Sequence, residues 1–337
     1  MATYYDIFGQ KVQYLSSDPA NVTEGQVWYN STSNTAKFEG FLAAGSGTWS
    51  TGNNFNTNRS QIGGAGTATS GFIAGGYQQP YPGSTVGLTA TEEWDGTNWT
   101  TGGSLNTGRA DINCAGTETA GLAASGDRHP SPPRTMTENE EYNGTAWTNV
   151  NPTQNGHYET ASSSVGIQTA ATMLGGRSAP PTTRSNFFES YDGTSWTNNT
   201  AYPSSYSGAN CFGTESSQVA AGGENPGGSV VTDVNEWNGS AWTAGNALPV
   251  AKRNGMGSGT LTNGIVAFGA PTPNPSSSSY DGTNWTTEGT VNTPMSSMGS
   301  STSALVGAWG ANWNGSISAT ETFSGINAPT TKTITTS

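Results

Sequence analysis

Charged residues, cysteine and histidine are scarce in this chain. Only 10% of its 337 residues are charged, whereas about a quarter is usual in soluble domains. The two cysteines and two histidines are too few for a disulfide framework or for the usual ligand set of a metal site. No apolar run reaches the roughly 18 residues that a transmembrane helix needs. We therefore expect no cofactor and no insertion into a membrane.

Positive charge is the scarcer sign. Eleven Lys and Arg residues stand against 23 Asp and Glu residues, which gives a net charge of −12. An acidic chain with scattered arginines binds nucleic acid poorly, so we expect no nucleic-acid partner. The opening residues, MATYYDIFGQKVQYLSS, lack the basic and apolar stretches of a signal peptide, and we expect none.

Residues that favour turns and strands take the place of the missing charge. Gly alone accounts for 47 residues, and Ser, Thr and Asn are abundant. These residues are poor helix formers and good turn formers. Eleven Trp, 12 Tyr and 10 Phe residues supply apolar bulk that disordered chains lack. The composition predicts a folded, all-β protein.

A hairpin motif recurs along the chain, and its fullest copy is Glu93–Thr100, EWDGTNWT. Asp-Gly or Asn-Gly between aromatic residues is a strong hairpin signal, because a type I′ turn needs a positive φ at both central residues. The tryptophan near the end of the motif returns every 43 to 49 residues, and one earlier copy stands 50 residues before the first. These tryptophans are Trp49, Trp99, Trp147, Trp196, Trp242 and Trp285.

Two further motifs precede each hairpin. One is a short apolar run that ends in small residues, such as Phe72–Gly76, and the other is a small-residue segment before it, such as Ile62–Thr67. Four short strands in about 45 to 50 residues match one blade of a β-propeller, with the small-residue strand innermost. The expected fold is a six-bladed propeller over residues 47–325. The strand near Trp49 would close the ring beside Ala319–Phe323.

The pattern resembles the kelch repeat over residues 47–325. The resemblance is carried by the Gly-Gly strand ends, the aromatic residue of the third strand and the tryptophan of the fourth. The turn before the first strand is similar as well, and it implies structural roles for Arg59, Arg109 and Arg253. Three units depart from this turn, with His157-Tyr158, Ser205-Tyr206 and Met295-Ser296 where arginine is expected.

A narrower resemblance covers the N-terminal segment. Residues 8–15 and 24–30 are similar to the start of kelch-like structural proteins of marine tailed phages. This implies an exposed, multi-copy component of the virion that is made in the host cytoplasm. Residues 1–46 would form an N-terminal arm and residues 326–337 a C-terminal tail. The arm either docks onto other virion proteins or straps the propeller, and both interpretations stay open.

Recurring carboxylates are the main candidates for catalysis. Glu93, Glu141 and Glu236 return with the repeat, and Glu92 and Glu140 stand beside two of them. Paired carboxylates can act as acid and base in glycoside hydrolysis, but recurrence with the repeat is typical of a structural role. Two histidines are also few for the copper site of kelch-like oxidases. We expect no catalytic residue and no enzyme, with a glycan-active enzyme as the lesser alternative.

Long proline-rich loops follow the second strand in four of the repeats, at residues 77–82, 127–134, 177–181 and 270–275, and variable loops on a rigid scaffold commonly carry binding. The expected function is recognition of a host-surface glycan or receptor from the phage tail or fibre, with capsid decoration as the alternative. Aromatic and arginine side chains are typical interface anchors, although these could also pack against adjacent blades. The candidate contact residues are Tyr77, Tyr81, Arg128, His129, Arg134, Arg177, Arg184 and Trp313.

Overall fold

The computed structural model of the chain is all-β. It describes residues 13–19, 27–41, 47–78, 87–128, 134–160, 165–178, 183–271, 274–300, 306–311, 319–324 and 329–334. These ranges contain 32 strands, numbered β1 to β32 in chain order, and no helix, hence none that could span a membrane. The all-β prediction is confirmed. The chain forms two compact units, one of Met1–Gly45 with Asn327–Ser337 and the other of Ser46–Ile326.

The smaller unit is a four-stranded sheet that joins both ends of the chain. Its strands follow the order β1 (Gln13–Leu15), β2 (Val27–Asn30), β3 (Thr35–Phe41) and β32 (Pro329–Ile334), and only the β1–β2 pairing is parallel. The segment expected to be an N-terminal arm contains the antiparallel hairpin of β2 and β3. The segment expected to be a separate C-terminal tail contains β32, which pairs along β3 instead.

A buried tryptophan and one aspartate organise this small sheet. Trp28 is fully buried, and its indole Nε1 donates a hydrogen bond to Asp18 Oδ1 at 2.9 Å. Asp18 also accepts from Asn30 Nδ2 at 2.8 Å and from Lys37 Nζ at 2.6 Å. These bonds, that to Lys37 foremost, lower the pKa of Asp18 to about 2.

The larger unit repeats one antiparallel sheet of four strands, and its described residues form six such sheets. Each sheet runs from a first to a fourth strand in the same spatial order, as the repeat predicts. Sheet 1 contains β6 (Gly63–Thr67), β7 (Ser70–Ala74), β9 (Thr91–Trp94) and β10 (Trp99–Thr101); sheet 2 contains β11 (Asn113–Thr117), β12 (Ala120–Ala124), β13 (Asn139–Tyr142) and β14 (Trp147–Val150); sheet 3 contains β15 (Val165–Ile167), β16 (Ala170–Leu174), β19 (Phe188–Tyr191) and β20 (Trp196–Asn198).

The remaining three sheets follow the same plan, although sheet 6 takes its fourth strand from the start of the unit. Sheet 4 contains β21 (Asn210–Thr214), β22 (Ser217–Ala221), β23 (Val234–Trp237) and β24 (Trp242–Ala244); sheet 5 contains β25 (Met256–Thr260), β26 (Asn263–Ala267), β27 (Ser277–Tyr280) and β28 (Trp285–Thr287); sheet 6 contains β29 (Ser296–Ser300), β30 (Val306–Ala311), β31 (Ala319–Ser324) and β4 (Thr48–Gly52). Two short ladders complete the unit: β5 (Arg59–Ser60) with β8 (Tyr77–Gln78), and β17 (Arg177–Ser178) with β18 (Thr183–Arg184).

The hairpin turn between the third and fourth strands differs from the predicted type I′ turn. In sheet 1 the strands pair at Trp94 and Trp99, so the loop has four residues, and of the central Asp-Gly pair only Gly96 has a positive φ, of 92°. Asp95 Oδ1 accepts hydrogen bonds from the backbone N–H groups of Thr97 and Asn98 at 2.8 and 2.6 Å. The side-chain acceptor holds the loop, so a second left-handed residue is not needed. The same two bonds form at Asn143, Asp192, Asn238 and Asp281.

The first strands of the sheets pack closely against one another. Each lies beside the next, from β6 through β11, β15, β21 and β25 to β29, and β29 also lies beside β6. A Cβ atom on Gly257 in β25 would stand 2.4 Å from the Cys211 carbonyl oxygen in β21, and one on Gly63 would stand 2.4 Å from Cys114 Sγ. Glycine is required at these two points because no side chain fits between the strands.

Aromatic side chains fill the spaces between sheets, and some of the tryptophans also donate a hydrogen bond to the neighbouring sheet. Trp147 Nε1 donates to Thr91 Oγ1 of sheet 1 at 3.0 Å, and Trp49 Nε1 donates to Ser277 Oγ of sheet 5 at 3.1 Å. Trp196 is likewise buried. Trp147 and Trp49 thus lie against the neighbouring sheet through a large apolar ring with a satisfied polar group, whereas Trp196 Nε1 has no acceptor among the described residues.

Candidate functional site

The larger unit is built of repeats, each with one four-stranded sheet. In five of these repeats, the segment before the first strand forms a β-bridge with the segment after the second strand. Because these strands are antiparallel, both segments lie at the same end of their sheet. The backbone pairing is constant, but the residues that make it change from unit to unit. This variation on a fixed backbone is typical of binding surfaces. The pairs are Ser60–Tyr77, Ala110–Asp127, Tyr158–Arg177, Ser207–Glu224 and Arg253–Ala270.

The next residue in each of these units has a left-handed backbone. Gln61, Asp111, Glu159 and Asn254 have φ values of 48 to 56°, and Gly208 has 64° at the same position. Neighbouring units are tied there: Asp111 N donates to Gln61 O at 2.8 Å, and Gly208 N donates to Glu159 O at 3.0 Å. Such strained non-glycine residues cluster at functional sites. The strain here directs polar side chains to the same end of the sheets.

Nine of these residues and their neighbours form what we call the charged rim. Its basic part centres on Glu224, whose carboxylate contacts Arg184, Arg253 and, at 3.6 Å, Nη2 of Arg177. Arg177 Nε also lies 2.6 Å from Glu159 Oε2. The rim comprises Asp111, Asp127, Arg134, Tyr158, Glu159, Arg177, Arg184, Glu224 and Arg253.

The acidic part of the charged rim lies around Asp111. Gln61 Nε2 donates to Asp111 Oδ2 at 2.7 Å. Burial raises the pKa of Asp111 well above its ordinary value, and the negative charges of Glu159 and Asp127 add to this effect. Crowded carboxyl groups that resist ionisation are common in functional sites.

Arg134 links the acidic part to the aromatic residues of the rim. It forms an ion pair with the buried Asp127, and its guanidinium carbon lies 4.9 Å from the centre of the Tyr158 ring. Tyr77 is buried beside them, and burial raises its pKa, with the charges of Asp127 and Asp111 adding to this. A cation over an aromatic face is a stabilising arrangement in partly desolvated sites.

The candidate contact residues divide into three groups. Arg134, Arg177 and Arg184 lie on the rim, and Tyr77 lies buried behind it. Arg128 forms an ion pair with Glu138 and lines a cavity of about 280 Å³ that also includes Met136. The third group, Tyr81, His129 and Trp313, lies outside the described residues.

The three expected structural arginines do not share one role. Arg59 and Arg109 are fully buried and form ion pairs with Glu92 at 3.1 Å and Glu140 at 3.2 Å. In the fifth unit, Lys252 takes the equivalent buried position, where Nζ donates to Ser276 O at 2.8 Å. Burial lowers the pKa of Lys252 to about 8. Arg253, one residue later, points away from that position and joins the charged rim instead.

The recurring carboxylates lie between sheets rather than together in a site. Tyr191 Oη donates to Glu141 at 2.8 Å from the next sheet, and the same bond joins Tyr142 to Glu93 and Tyr280 to Glu236. Each pair ties one sheet to its neighbour. In the part of the chain that the structure describes, no group of three or more His, Cys, Asp or Glu side chains is placed to hold a metal ion.

Sequence reasoning missed most of the acidic members of the rim. Asp127, Arg177 and Glu224 each follow directly after the small-residue end of a second strand, and only Arg177 was singled out. The signal was the position: the residue after the Gly-Gly or Ser-Gly end varies between units while the glycine does not. Asp111 and Glu159 carry no comparable sequence signal, because nothing local predicts a left-handed backbone there.

Comparison with known proteins supports the fold alone. No family model and no curated protein match the chain. Among the 324 matching chains of known structure is that of a protein called YjhT, with a TM-score of 0.65 and 12% sequence identity, over 83% of this chain and 99% of that one. Together with the four-stranded antiparallel sheets, this likeness identifies a β-propeller-like fold.

Proposed function

We propose that residues 46–326 form a closed, six-bladed propeller in which each of the six sheets is one blade. Two observations support this. The first strand of sheet 6 lies beside that of sheet 1, and β4, from the start of the unit, is the fourth strand of sheet 6. Mixed closure of this kind pairs strands that would otherwise be free edges.

We further propose that the protein is a non-enzymatic virion component that recognises a glycan on the host surface. The observation that carries this proposal is the charged rim, where polar and charged side chains vary between units on a constant backbone. Fixed polar groups beside aromatic rings suit the hydroxyl-rich surface of a sugar. The N-terminal resemblance to structural proteins of marine tailed phages supports the virion as its location.

Binding of the purified full-length chain to host cells tests the recognition function. We expect saturable binding that disappears when the envelope glycans are removed enzymatically from the cells. Arg134→Gln removes a rim cation that contacts both Asp127 and Tyr158, and we expect it to weaken binding. Unchanged binding to glycan-stripped cells would contradict the proposal.

The position on the particle needs a separate experiment. Quantitative mass spectrometry of purified virions distinguishes a tail or fibre component, present in few copies, from a capsid decoration, present in many.

For the smaller unit we propose attachment to other virion proteins, because Tyr14 is 75% exposed and its ring stacks on that of Tyr29, with ring centres 5.1 Å apart. Deleting residues 1–35 should abolish incorporation into virions, and normal incorporation would reject this role.

A further inference from the structure

Three arginines surround a single glutamate in the basic part of the charged rim. Arg177 and Arg184 come from the β17–β18 ladder after the second strand of sheet 3, and Glu224 follows the second strand of sheet 4. Arg253 precedes the first strand of sheet 5. Two different repeats thus bring cations to one point and a third brings the glutamate, which no local structural requirement of a single repeat explains.

Positive charge is in excess at this point. Arg177, Arg184 and Arg253 carry three positive charges, and Glu224 and Glu159 carry two negative ones. The surplus occurs in a chain whose net charge is −12. The three arginine side chains are only 13 to 22% exposed, so solvent screens their mutual repulsion incompletely.

The arginines destabilise one another's charge. Burial lowers the pKa of Arg184, and the positive charges of Arg177 and Arg253 lower it further. The pKa of Arg253 is lowered by burial and by Arg177 in the same way. The charge of Glu159 offsets only part of this lowering, so an additional anion would relieve the remaining repulsion.

The guanidinium groups also hold unused donors. Each has five N–H groups in a rigid fork, and the buried Nε atoms of Arg184 and Arg253 have no acceptor among the described residues. Donors that approach one point from three separate chain segments suit an anion with three terminal oxygen atoms. A planar carboxylate offers only two oxygen atoms, and this site already contains one carboxylate, that of Glu224.

We propose that Arg177, Arg184 and Arg253 bind a tetrahedral oxyanion, a sulfate or phosphate ester carried by the recognised glycan. Glu224 competes for the same guanidinium groups and holds them together when no ester is bound. This inference rests on the proposed recognition function and names the chemical class of its ligand. No bond is made or broken, because the ester group exchanges for a carboxylate in a set of hydrogen bonds.

Isothermal titration of the full-length protein with four sugars tests the inference. The probes are galactose 6-sulfate, galactose 6-phosphate, galactose and glucuronate. We expect at least one of the two esters to bind ten-fold or more tightly than both galactose and glucuronate. Arg184→Gln should weaken ester binding ten-fold or more, as the loss of a charge-assisted hydrogen bond implies. The control is Lys37→Gln, which removes the cation of the ion pair with Asp18 in the smaller unit and should change affinity less than two-fold.

Glu224→Gln provides a second readout that does not depend on a loss of binding. Without the competing carboxylate, sulfate should raise the unfolding temperature of this variant more than that of the unchanged protein. Sodium chloride at equal ionic strength should not reproduce the difference. Equal stabilisation of Glu224→Gln and the unchanged protein by sulfate, or equal effects of Arg184→Gln and Lys37→Gln on ester binding, would overturn the inference.

Glycan recognition and the ester-binding site can be rejected independently of each other. Host-cell binding together with equal affinity for ester and neutral sugars overturns the ester site and leaves glycan recognition intact. Tight ester binding without any binding to host cells overturns the recognition function and supports the site.

Discussion

The indole Nε1 of Trp99 donates a hydrogen bond of 2.9 Å to Thr320 Oγ1, a residue 221 positions later in the chain. Trp99 begins the fourth strand of sheet 1, and Thr320 lies in the third strand of sheet 6. Thr91 accepts the same bond from Trp147 between sheets 1 and 2, at 3.0 Å. Sheets 6 and 1 are thus joined like sheets that follow one another in the chain.

This equivalence predicts equal energetic costs at the two positions. Thr320 and Thr91 are both fully buried, so a valine at either one leaves an indole N–H without its acceptor. Thr320→Val and Thr91→Val should each lower the free energy of unfolding by about 1–3 kcal/mol. Urea denaturation measures both. A neutral Thr320→Val beside a destabilising Thr91→Val would contradict closure between sheets 6 and 1.

Removal of β4 should be more severe. Phe323 of β31 is fully buried, and its ring centre lies 5.0 Å from that of Trp49 in β4. A chain without residues 1–52 loses this tryptophan and exposes the β31 edge. We expect an additional loss of about 3–5 kcal/mol relative to a chain without residues 1–46, measured by thermal unfolding. Equal stability of the two truncated chains would exclude a structural role for β4.

His157 should make the protein sensitive to mild acid. Burial lowers its pKa to about 4, and its ring stacks on Phe187 with centres 3.8 Å apart. Between pH 6.5 and 4 the unfolded chain binds a proton that the native state does not, so stability falls as the pH falls. The loss at pH 4 should reach about 3 kcal/mol at most.

The sixth unit suggests the variant that tests this sensitivity. Met295, which is fully buried, occupies the position equivalent to His157. His157→Met should therefore remove the fall in stability between pH 6.5 and 4. The backbone N–H of residue 157 should still donate to Ser125 Oγ, as it does at 3.0 Å in the unchanged protein. Denaturant titrations at pH 4, 5, 6 and 7 compare the variant with the unchanged protein. Parallel pH profiles would show that His157 binds a proton equally well in the native and unfolded states, contrary to this prediction.

Asp111 should have the opposite pH dependence. Its raised pKa means that the native state binds a proton more tightly than the unfolded chain, so stability is lost as the pH rises above the ordinary aspartate value of about 4. Asp111→Asn should be more stable than the unchanged protein at pH 8, and the difference should shrink towards pH 4. Denaturant unfolding across this range measures it.

Asp95→Asn is the matched control for that experiment. Backbone hydrogen bonds from Asn98 and Thr97 lower the pKa of Asp95, and two other units already have asparagine in this turn, at Asn143 and Asn238. This variant should lose stability at neutral pH rather than gain it. A gain at both positions would point to net charge instead of the surroundings of Asp111.

The repeating strands could be predicted because their signals are local. The tryptophan that follows the Asp-Gly turn is the first residue of its strand in sheet 1, and Gly75 and Gly76 end the second strand with positive φ values of 65° and 98°. The turn type was wrong because the Asp95 side chain replaces a backbone requirement. Hydrogen bonds of that kind depend on the loop geometry rather than on the dipeptide.

The register of the fifth unit and the C-terminal strand were harder to predict. Lys252 and Arg253 are adjacent cations, and the repeat pattern accepts either one as the buried residue. The strand Pro329–Ile334 is rich in β-branched residues, which was an available signal, but its partner β3 lies almost at the other end of the chain. The ion pairs of Glu224 depend on contacts among three units, which sequence periodicity does not specify.

The side-chain-capped turns have a consequence for the lifetime of the protein. Asn143-Gly144 and Asn238-Gly239 are Asn-Gly pairs with exposed asparagines, and such pairs deamidate slowly through a succinimide that opens to aspartate or to isoaspartate. In three other units an aspartate already accepts the same two backbone hydrogen bonds. The aspartate product would therefore keep the capped turn, whereas isoaspartate adds a methylene group to the backbone and would disturb it. Ageing at these two sites would thus alter the hairpin only in the molecules that form isoaspartate.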